Sequence, residues 1–470
     1  MLKGLEVHIS LLSEVASNER LDSQYFLKEL VENDNKIESK PHDLISDLGL
    51  VTDGNHLTIA ENFEQNGIRY LRGQDISSRM MLDERNAVFI PETEYDKLSR
   101  SHIFKDDVLI TIVGANTGQT ALVYNPPSKL TANCKLGFAR VDKTKINPAF
   151  LHIFLVSKFG QNHIQRRIRG GGQTGLILPD LRNLKIPRFS NLLETEIAKL
   201  NLESHSKDEL SKQVYINAVE RLLEVLELNN WQPTEEAKAI KKFSQSFATS
   251  GRLDAEYYQP KFDEVLEVIS KVKHKSLGSI ASFKKSIEPG SDAYQTEGVP
   301  FIRVSDISKF GLSEPEIHLD REIYNDETLK PKKDTILLSK DGSVGIAYKV
   351  EQDLDVITSS ALLHLTITDK EVLPDYLTLV LNSKLTQMQA ERDAGGSIIQ
   401  HWRPDEIKQV QIPVLPMDTQ IELVKQIQQS FKLRQESTIL IYIAKQAVEI
   451  AIEQDEQTAL KFINENIDGD

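Results

Sequence analysis

The stretch from Arg252 to Tyr258 reads RLDAEYY, and 232 positions earlier the stretch from Arg20 to Phe26 reads RLDSQYF. Seven similar residues alone would decide nothing. They open a series of matches that keeps its order along the chain. GIRYLRGQDIS (67–77) pairs with GVPFIRVSDIS (298–308), and FKDDVLITIVGANTG (104–118) pairs with PKKDTILLSKDGSVG (331–345). NPAFLHIFLVSKFGQ (147–161) pairs with LPDYLTLVLNSKLTQ (373–387). IRGGGQTGLILPDLRNLKIP (168–187) pairs with DAGGSIIQHWRPDEIKQVQIP (393–413). The offset drifts only from 232 to about 225, so few insertions separate the copies. An ordered set of weak matches at one spacing is the mark of internal duplication.

Both copies read alike. RLD opens a helix, with Pro260 in the first turn of PKFDEVLEVISKV, where proline is tolerated. Short β-rich runs follow, among them IRYLRG, DVLITIV and TALVY in the first copy and PFIRV, DTILLS and GIAYKV in the second. A helix then starts at Pro148 or Pro374, a Gly-Gly loop follows, and an apolar-Pro strand, LKIP or VQIP, closes the copy. A long helical stretch comes next, roughly Leu192 to Leu228 and Thr419 to Glu453. The second carries Ile421, Val424, Ile427, Phe431, Ile439, Ile443, Val448 and Ile452 as a helical stripe. The first carries Ile197, Leu200, Val214, Val219, Leu222, Val225 and Leu226 less regularly. A helix of about 35 residues is about 50 Å long, and alone it would leave its stripe wet. Packing the two against each other as a coiled coil removes that exposure. Packing each on its own globular domain is the alternative.

At 470 residues the chain fits two to four domains. With 40% hydrophobic and 27% charged residues it has the composition of a globular protein. No run of eighteen uncharged apolar residues exists to span a bilayer, and MLKGLEVHISLLSEV lacks the pattern of a signal peptide. The single cysteine, Cys134, forms neither an internal disulfide nor a zinc cluster, which fits a cytoplasmic protein. The net charge of −14 argues against nucleic acid as a partner on average. Binding, however, needs only a local patch, and HIQRRIR (163–169) and KVKHK (271–275) are such patches.

Catalytic signals fail on inspection. YNPPS (124–128) has Ser128 where chemistry on a flipped base needs an aromatic side chain. GGGQTG (170–175) follows a basic helical segment rather than a strand, which is the wrong context for a dinucleotide loop. PDEIK (404–408) holds its carboxylates adjacent, whereas two-metal chemistry gathers them from separate strands. No triad, metal cluster or phosphate loop remains.

The paired RLD openings, the strand-loop pairs around RGQDIS and RVSDIS, the Gly-Gly loops closing in LKIP and VQIP, and the helical spacers, the last beginning LPMDTQIELVKQI, together resemble the specificity (S) subunit of type I restriction-modification systems. The resemblance implies a mixed α/β (α+β) fold, with two tandem pseudo-symmetric target-recognition domains separated by long antiparallel coiled-coil helices. Residues 1–189 would form the first recognition domain with an N-terminal helix, and 190–231 the central spacer. Residues 232–415 would form the second recognition domain and 416–470 the C-terminal spacer. Each domain would read one half of a bipartite site on double-stranded DNA. The helices would dock methyltransferase (M) subunits, two in number, and the assembly would recruit restriction (R) subunits. The chain itself would be non-catalytic and hold no cofactor. S-adenosylmethionine, ATP and Mg²⁺ would belong to the partner subunits. Three rival readings are a self-contained methyltransferase or nuclease, a specificity subunit of another DNA-modification defence system, and a bivalent protein-binding scaffold.

On that reading the first domain's DNA-contacting candidates lie at the basic helix end and Gly loop: Arg166, Arg167, Arg169, Gly171, Gly172, Gln173 and Thr174. Arginines there can neutralise phosphates, glycines let backbone N–H groups approach closely, and Gln173 and Thr174 can reach base edges. The turn with Asn116, Thr117 and Gln119 and the loop with Arg72 and Gln74 are further candidates. Their counterparts are Arg303, Ser305, Lys340, Asp341, Ser343, Ser397, Gln400, His401 and Arg403. Each arginine would serve equally well as a solvated surface charge. Arg20 with Asp22, and Arg252 with Asp254, are expected to cap or pin the opening helix, and Tyr25 and Tyr257 to pack in the core.

Overall fold

The computed structural model describes residues 20, 22–77, 79–82, 87–126, 129–170, 174–236, 238–395 and 400–467. The chain divides into two compact units, one formed by the residues up to Glu209 together with those from Arg434 onward, the other by Leu210–Leu433. The division falls inside both long helices.

The first unit is built on a four-stranded antiparallel sheet of β1 (Gly49–Asp53), β2 (Val108–Thr111), β3 (Thr120–Leu122) and β4 (Leu136–Val141), in the order β1-β4-β2-β3. All four residues of β2 are buried, so the apolar run VLIT is a central strand covered on both faces. Helix Pro148–Val156 lies against this sheet and is buried along its whole length. Proline occupies its first turn, and the Asn147 side chain accepts the Ala149 N–H at 2.9 Å. Helix α1 (Lys158–Arg167) follows at once, capped by Ser157, whose hydroxyl accepts the Gly160 N–H. A second sheet pairs Ile68–Leu71 in parallel with Leu130–Ala132. Residues His42–Leu44 pair antiparallel with Lys185–Pro187 and so join the copy's beginning to its end.

The second unit repeats this plan. Its sheet holds β5 (Ala281–Lys285), β6 (Ile336–Ser339), β7 (Ala347–Lys349) and β8 (Leu362–Ile367) in the order β5-β8-β6-β7. Val299–Ile302 pairs in parallel with Ile357–Thr358, and His274–Ser276 pairs antiparallel with Gln411–Pro413. Identical strand order and pairing sense in the two four-stranded sheets carry the duplication from sequence into topology. The fold is mixed α and β, as expected.

The long helices are α2 (Asn191–Val225) and α4 (Met417–Glu453). They run antiparallel in each unit. In the first, Leu193, Ile197, Ala198 and Leu200 share a core with Ile443, Ala444, Ala447, Val448 and Ala451. In the second, Tyr215, Ala218 and Leu222 share one with Leu423 and Ile427. The expected stripe needs correction. Ile421 and Ile439 are exposed, whereas Ile427, Ile443, Val448 and Ile452 are buried as expected, and alanines and serines complete the seam between them. Ser204 donates to the Ser437 carbonyl at 2.8 Å in the first unit, and Ser430 to the Ser211 carbonyl at 2.8 Å in the second. Ser204 and Ser211 lie seven residues apart, as do Ser430 and Ser437. Small residues at heptad spacing let helix backbones approach closely, a signal that a search for large apolar side chains passes over.

In the first unit a buried carboxylate ties α1 to helix Lys28–Glu38. Asp34 accepts the His163 Nδ1–H at 2.5 Å, Arg166 Nη1 at 2.7 Å and Arg167 Nη1 at 3.0 Å. His163 Nε2 accepts the Lys185 N–H at 2.9 Å, which only a neutral imidazole can do. Burial works against the Asp34 carboxylate, but the His163 N–H and the two guanidinium groups outweigh it and hold its pKa well below the usual range. Burial lowers His163 to about 4. It does the same to His152, lowered to about 4, whose Nδ1 accepts from Asn201. The second unit has Gln389 at the position of His163, its Oε1 accepting the Gln411 N–H at 2.8 Å. That unit buries a different histidine, His364, also lowered to about 4.

For such a histidine the unfolded chain binds its proton near pH 6.5 and the folded chain only near 4. The stability it contributes is complete above pH 6.5 and is lost as pH falls toward 4, up to about 3 kcal/mol for each group. His163→Gln should therefore make the pH dependence of unfolding between pH 5 and 6 shallower by about one proton, read from denaturant melts at a series of pH values. An unchanged slope would contradict the burial of a neutral imidazole.

Candidate nucleic-acid interface

In the first unit the turn that joins β2 to β3 meets the Gly-rich loop after α1. The loop is closed by two main-chain hydrogen bonds, Arg169 N–H to Gly175 O at 2.8 Å and Gly175 N–H to Arg169 O at 2.9 Å. The turn is stitched to it by Gly114 N–H to Thr174 O at 3.1 Å and Leu176 N–H to Ile112 O at 2.8 Å. The second unit repeats all four. Gly395 N–H bonds to His401 O at 3.1 Å and His401 N–H to Gly395 O at 2.7 Å. Gly342 N–H bonds to Gln400 O at 2.9 Å and Trp402 N–H to Lys340 O at 2.8 Å.

A glutamine holds each turn from behind. Gln161 Nε2 donates to Gly118 O at 3.1 Å and to Leu155 O, the penultimate residue of helix Pro148–Val156, at 2.7 Å. Gln387 Nε2 donates to Gly345 O at 2.7 Å and to Leu381 O at 2.9 Å. Gly118 and Gly345 have φ of +99° and +84°, a region closed to most side chains. These glutamines were visible in the sequence as the last letter of SKFGQ and SKLTQ, but their task was not. The loop carrying Arg72 joins the first surface from the side, since Thr111 Oγ1 donates to Gly73 O at 3.2 Å. Lys135, exposed, lies next to Gly73 and was not among the candidates.

The candidate side chains divide into three groups. Arg166 and Arg167 are turned inward onto Asp34 and only slightly exposed, with the Arg166 guanidinium 4.3 Å from the Tyr25 ring centre. Others have a carboxylate of their own, with Arg169 and Arg403 at the surface and Arg72 and Lys340 largely buried. Arg169 pairs with Asp180 at 2.7 Å, Arg72 with Asp75 at 3.0 Å, Lys340 with Asp341, and Arg403 with Glu406. His401 Nδ1 lies 2.9 Å from Asp341 Oδ1. The third group stands on the loops and turns. Gln74, Thr174, Ser305, Ser343 and Gln400 are exposed, and Asn116, Thr117, Gln119 and Arg303 are half-buried. Thr117 and Thr174 both donate to Gly114 O, at 2.6 and 3.0 Å. Ser305 donates to Asp306 at 3.0 Å. Gly171, Gly172, Gln173 and Ser397 lie outside the described residues. Trp402 is fully buried whereas its neighbour His401 is exposed, so the two belong to different environments.

Each surface thus offers exposed donors and acceptors on a cross-linked pair of loops, with cations held in place by adjacent acids. Such a surface suits base-edge recognition more than bulk phosphate attraction. Among the described residues no group of three or more His, Cys, Asp or Glu side chains could hold a metal ion. No helix among them is long and apolar enough to cross a membrane.

Residues 269–442 match the family model described as the type I restriction modification DNA specificity domain. No curated protein sequence matches the chain. Among solved structures, the chain is similar to the S subunit of a type I restriction-modification system from M. genitalium, with 14% identity and a TM-score of 0.36, over 91% of this chain and 94% of that one. It is similar also to the HsdS subunit from Thermoanaerobacter tengcongensis, with 15% identity and a TM-score of 0.29, over 92% and 97%. Likenesses of that size support no conclusion about this chain.

The turn glycines give a direct check of the geometry. Gly118→Ala forces a side chain into a left-handed backbone, where its Cβ would also lie 3.3 Å from Ile164 Cγ2. It should cost about 1–2 kcal/mol in a thermal or denaturant melt. A neutral outcome would mean that the turn is not held as described.

Proposed function

We propose, from the type I restriction modification DNA specificity domain at residues 269–442, that both copies are DNA readers and that the chain as a whole is a non-catalytic specificity subunit. The observation that carries this reading is a frame common to both units with different side chains mounted on it. The four loop-to-turn hydrogen bonds recur bond for bond. The residues presented there do not recur: Asn116, Gln119, Arg169 and Thr174 in one copy stand against Lys340, Ser343, Gln400, His401 and Arg403 in the other. A constant frame with variable polar contacts is what two readers of unlike sequence require, because base identity is read by hydrogen bonds from side chains whose positions are fixed.

Two unlike readers in one chain imply a bipartite, asymmetric site on double-stranded DNA. Of the rival readings, a protein-binding scaffold leaves the matched specificity domain without a role. The long helices, with exposed Leu192, Ile216, Ile421 and Tyr442, supply apolar surface for methyltransferase subunits. Restriction subunits would join the full complex. S-adenosylmethionine, ATP and Mg²⁺ would be held by those partners.

Replacing residues 40–188 with the corresponding segment of a relative should alter one half of the methylated site and leave the other intact. Methylome sequencing of cells that express the chimaera with its methyltransferase reads the result. A change in both halves would refute independent reading by the two copies.

A further inference from the structure

The RLD sequence that announces the duplication sits at the root of each Gly-rich loop. Arg20 is 5% exposed. Its guanidinium pairs with Asp22 through Nε at 2.7 Å and Nη2 at 2.9 Å. It also donates through Nη1 to Arg167 O at 3.1 Å and through Nη2 to Ile168 O at 2.9 Å. Asp22 in turn accepts the Tyr25 N–H at 3.1 Å, and the Tyr25 ring lies 4.5 Å under the Arg20 guanidinium. In the second copy Arg252 pairs with Asp254 at 2.9 Å through Nε and at 2.6 Å through Nη2, stacks on Tyr257 at 4.5 Å, and donates through Nη1 to Asp393 O at 2.8 Å. Arg167 is the last residue of α1, and Asp393 is the last residue of α3 (Lys384–Asp393).

The accepting carbonyls are thus the ones a helix leaves unsatisfied at its C-terminus, where a cation is also favoured by the helix dipole. One or two residues further on, at Arg169 and Gly395, the loop's closing pair of hydrogen bonds begins. An arginine held bidentately by its own aspartate and braced by an aromatic ring therefore fixes the direction in which the chain leaves the helix and enters the loop. Arginine suits this task where lysine does not, because its planar fork serves the carboxylate and the carbonyls at once.

We propose that Arg20 and Arg252 are positioning residues for recognition: each locks the stem of its own copy's Gly-rich loop and thereby fixes which bases that copy accepts, without touching DNA itself. This rests on the DNA reading of the two copies. The test uses the full-length chain, wild type, Arg20→Ala and Arg252→Ala, in selections from a randomised duplex library. Wild type is expected to enrich a split motif. Arg20→Ala should flatten preference in one half by about tenfold per read base, the worth of one good base contact, and leave the other half sharp. Arg252→Ala should do the reverse, and affinity for unselected random duplex should be unchanged in both. Amide exchange at Arg169 and Gly175 should quicken in Arg20→Ala, and at Gly395 and His401 in Arg252→Ala. Should Arg20→Ala fail to fold, Arg20→Lys keeps the charge and should flatten the same half. Equal weakening of both halves by one variant, or unaltered exchange at its stem, overturns the proposal. A wild-type chain that enriches no motif overturns the DNA reading itself. Exchange at the stems, which requires no DNA, tells the two failures apart.

Discussion

A chain that leaves a buried strand in a tight turn must find partners for its peptide groups, and the candidate surface of each unit depends on how that requirement is met. The left-handed glycines Gly118 and Gly345 place their carbonyls toward the neighbouring helix, and Gln161 and Gln387 receive them. The same amide groups hold carbonyls near the end of that helix, so strand, turn and helix become one rigid corner. The Gly-rich loop is then stitched to the turn by main-chain bonds that recur in both copies, with Thr174 Oγ1 on Gly114 O added in the first and His401 on Asp341 in the second. Because the shared frame is main-chain, the side chains mounted on it can differ between copies.

Elsewhere the copies solve one problem with different chemistry. The backbone N–H of the closing strand is satisfied by an imidazole nitrogen at His163 and by an amide oxygen at Gln389. Behind His163 stands Asp34 with two arginines, whereas the corresponding position of the second copy is Leu266. A buried ionic cluster is seldom worth more than a well-packed apolar one, so exchanging one for the other need not change stability. It does change acid sensitivity, since only the ionic version contains a buried histidine at that position. Duplication has preserved hydrogen-bond geometry more strictly than residue type.

The acidic balance of the chain and the proposed DNA-reading role are reconciled at the candidate surface itself. Arg169, Lys340 and Arg403 each stand beside a carboxylate. Local charge is thereby held near neutrality while donor directions stay fixed. A surface of this kind gains little from non-specific attraction to phosphate and relies on matched contacts, which is the electrostatic regime of a selective rather than a tight binder.

The sequence by itself determined the duplication, the mixed class and the position of the long helices, because matched order, strand-length apolar runs and helical stripes are local patterns. It also marked the two loops of each copy as a candidate surface, since glycine next to polar residues is a local signal. Only the tertiary structure decided which arginines face inward, because HIQRRIR reads as a basic patch until Asp34, more than a hundred residues away, is placed against it. It alone assigned the helix seam to Ser204, Ser211, Ser430 and Ser437 rather than to Ile421 and Ile439, since the partner's approach distance is not written in either helix. The tasks of Gln161, Gln387, Arg20 and Arg252 were hidden for the same reason. A side chain's hydrogen-bond partners are set by the fold that surrounds it, and these four reach across the chain to carbonyls that no local pattern identifies.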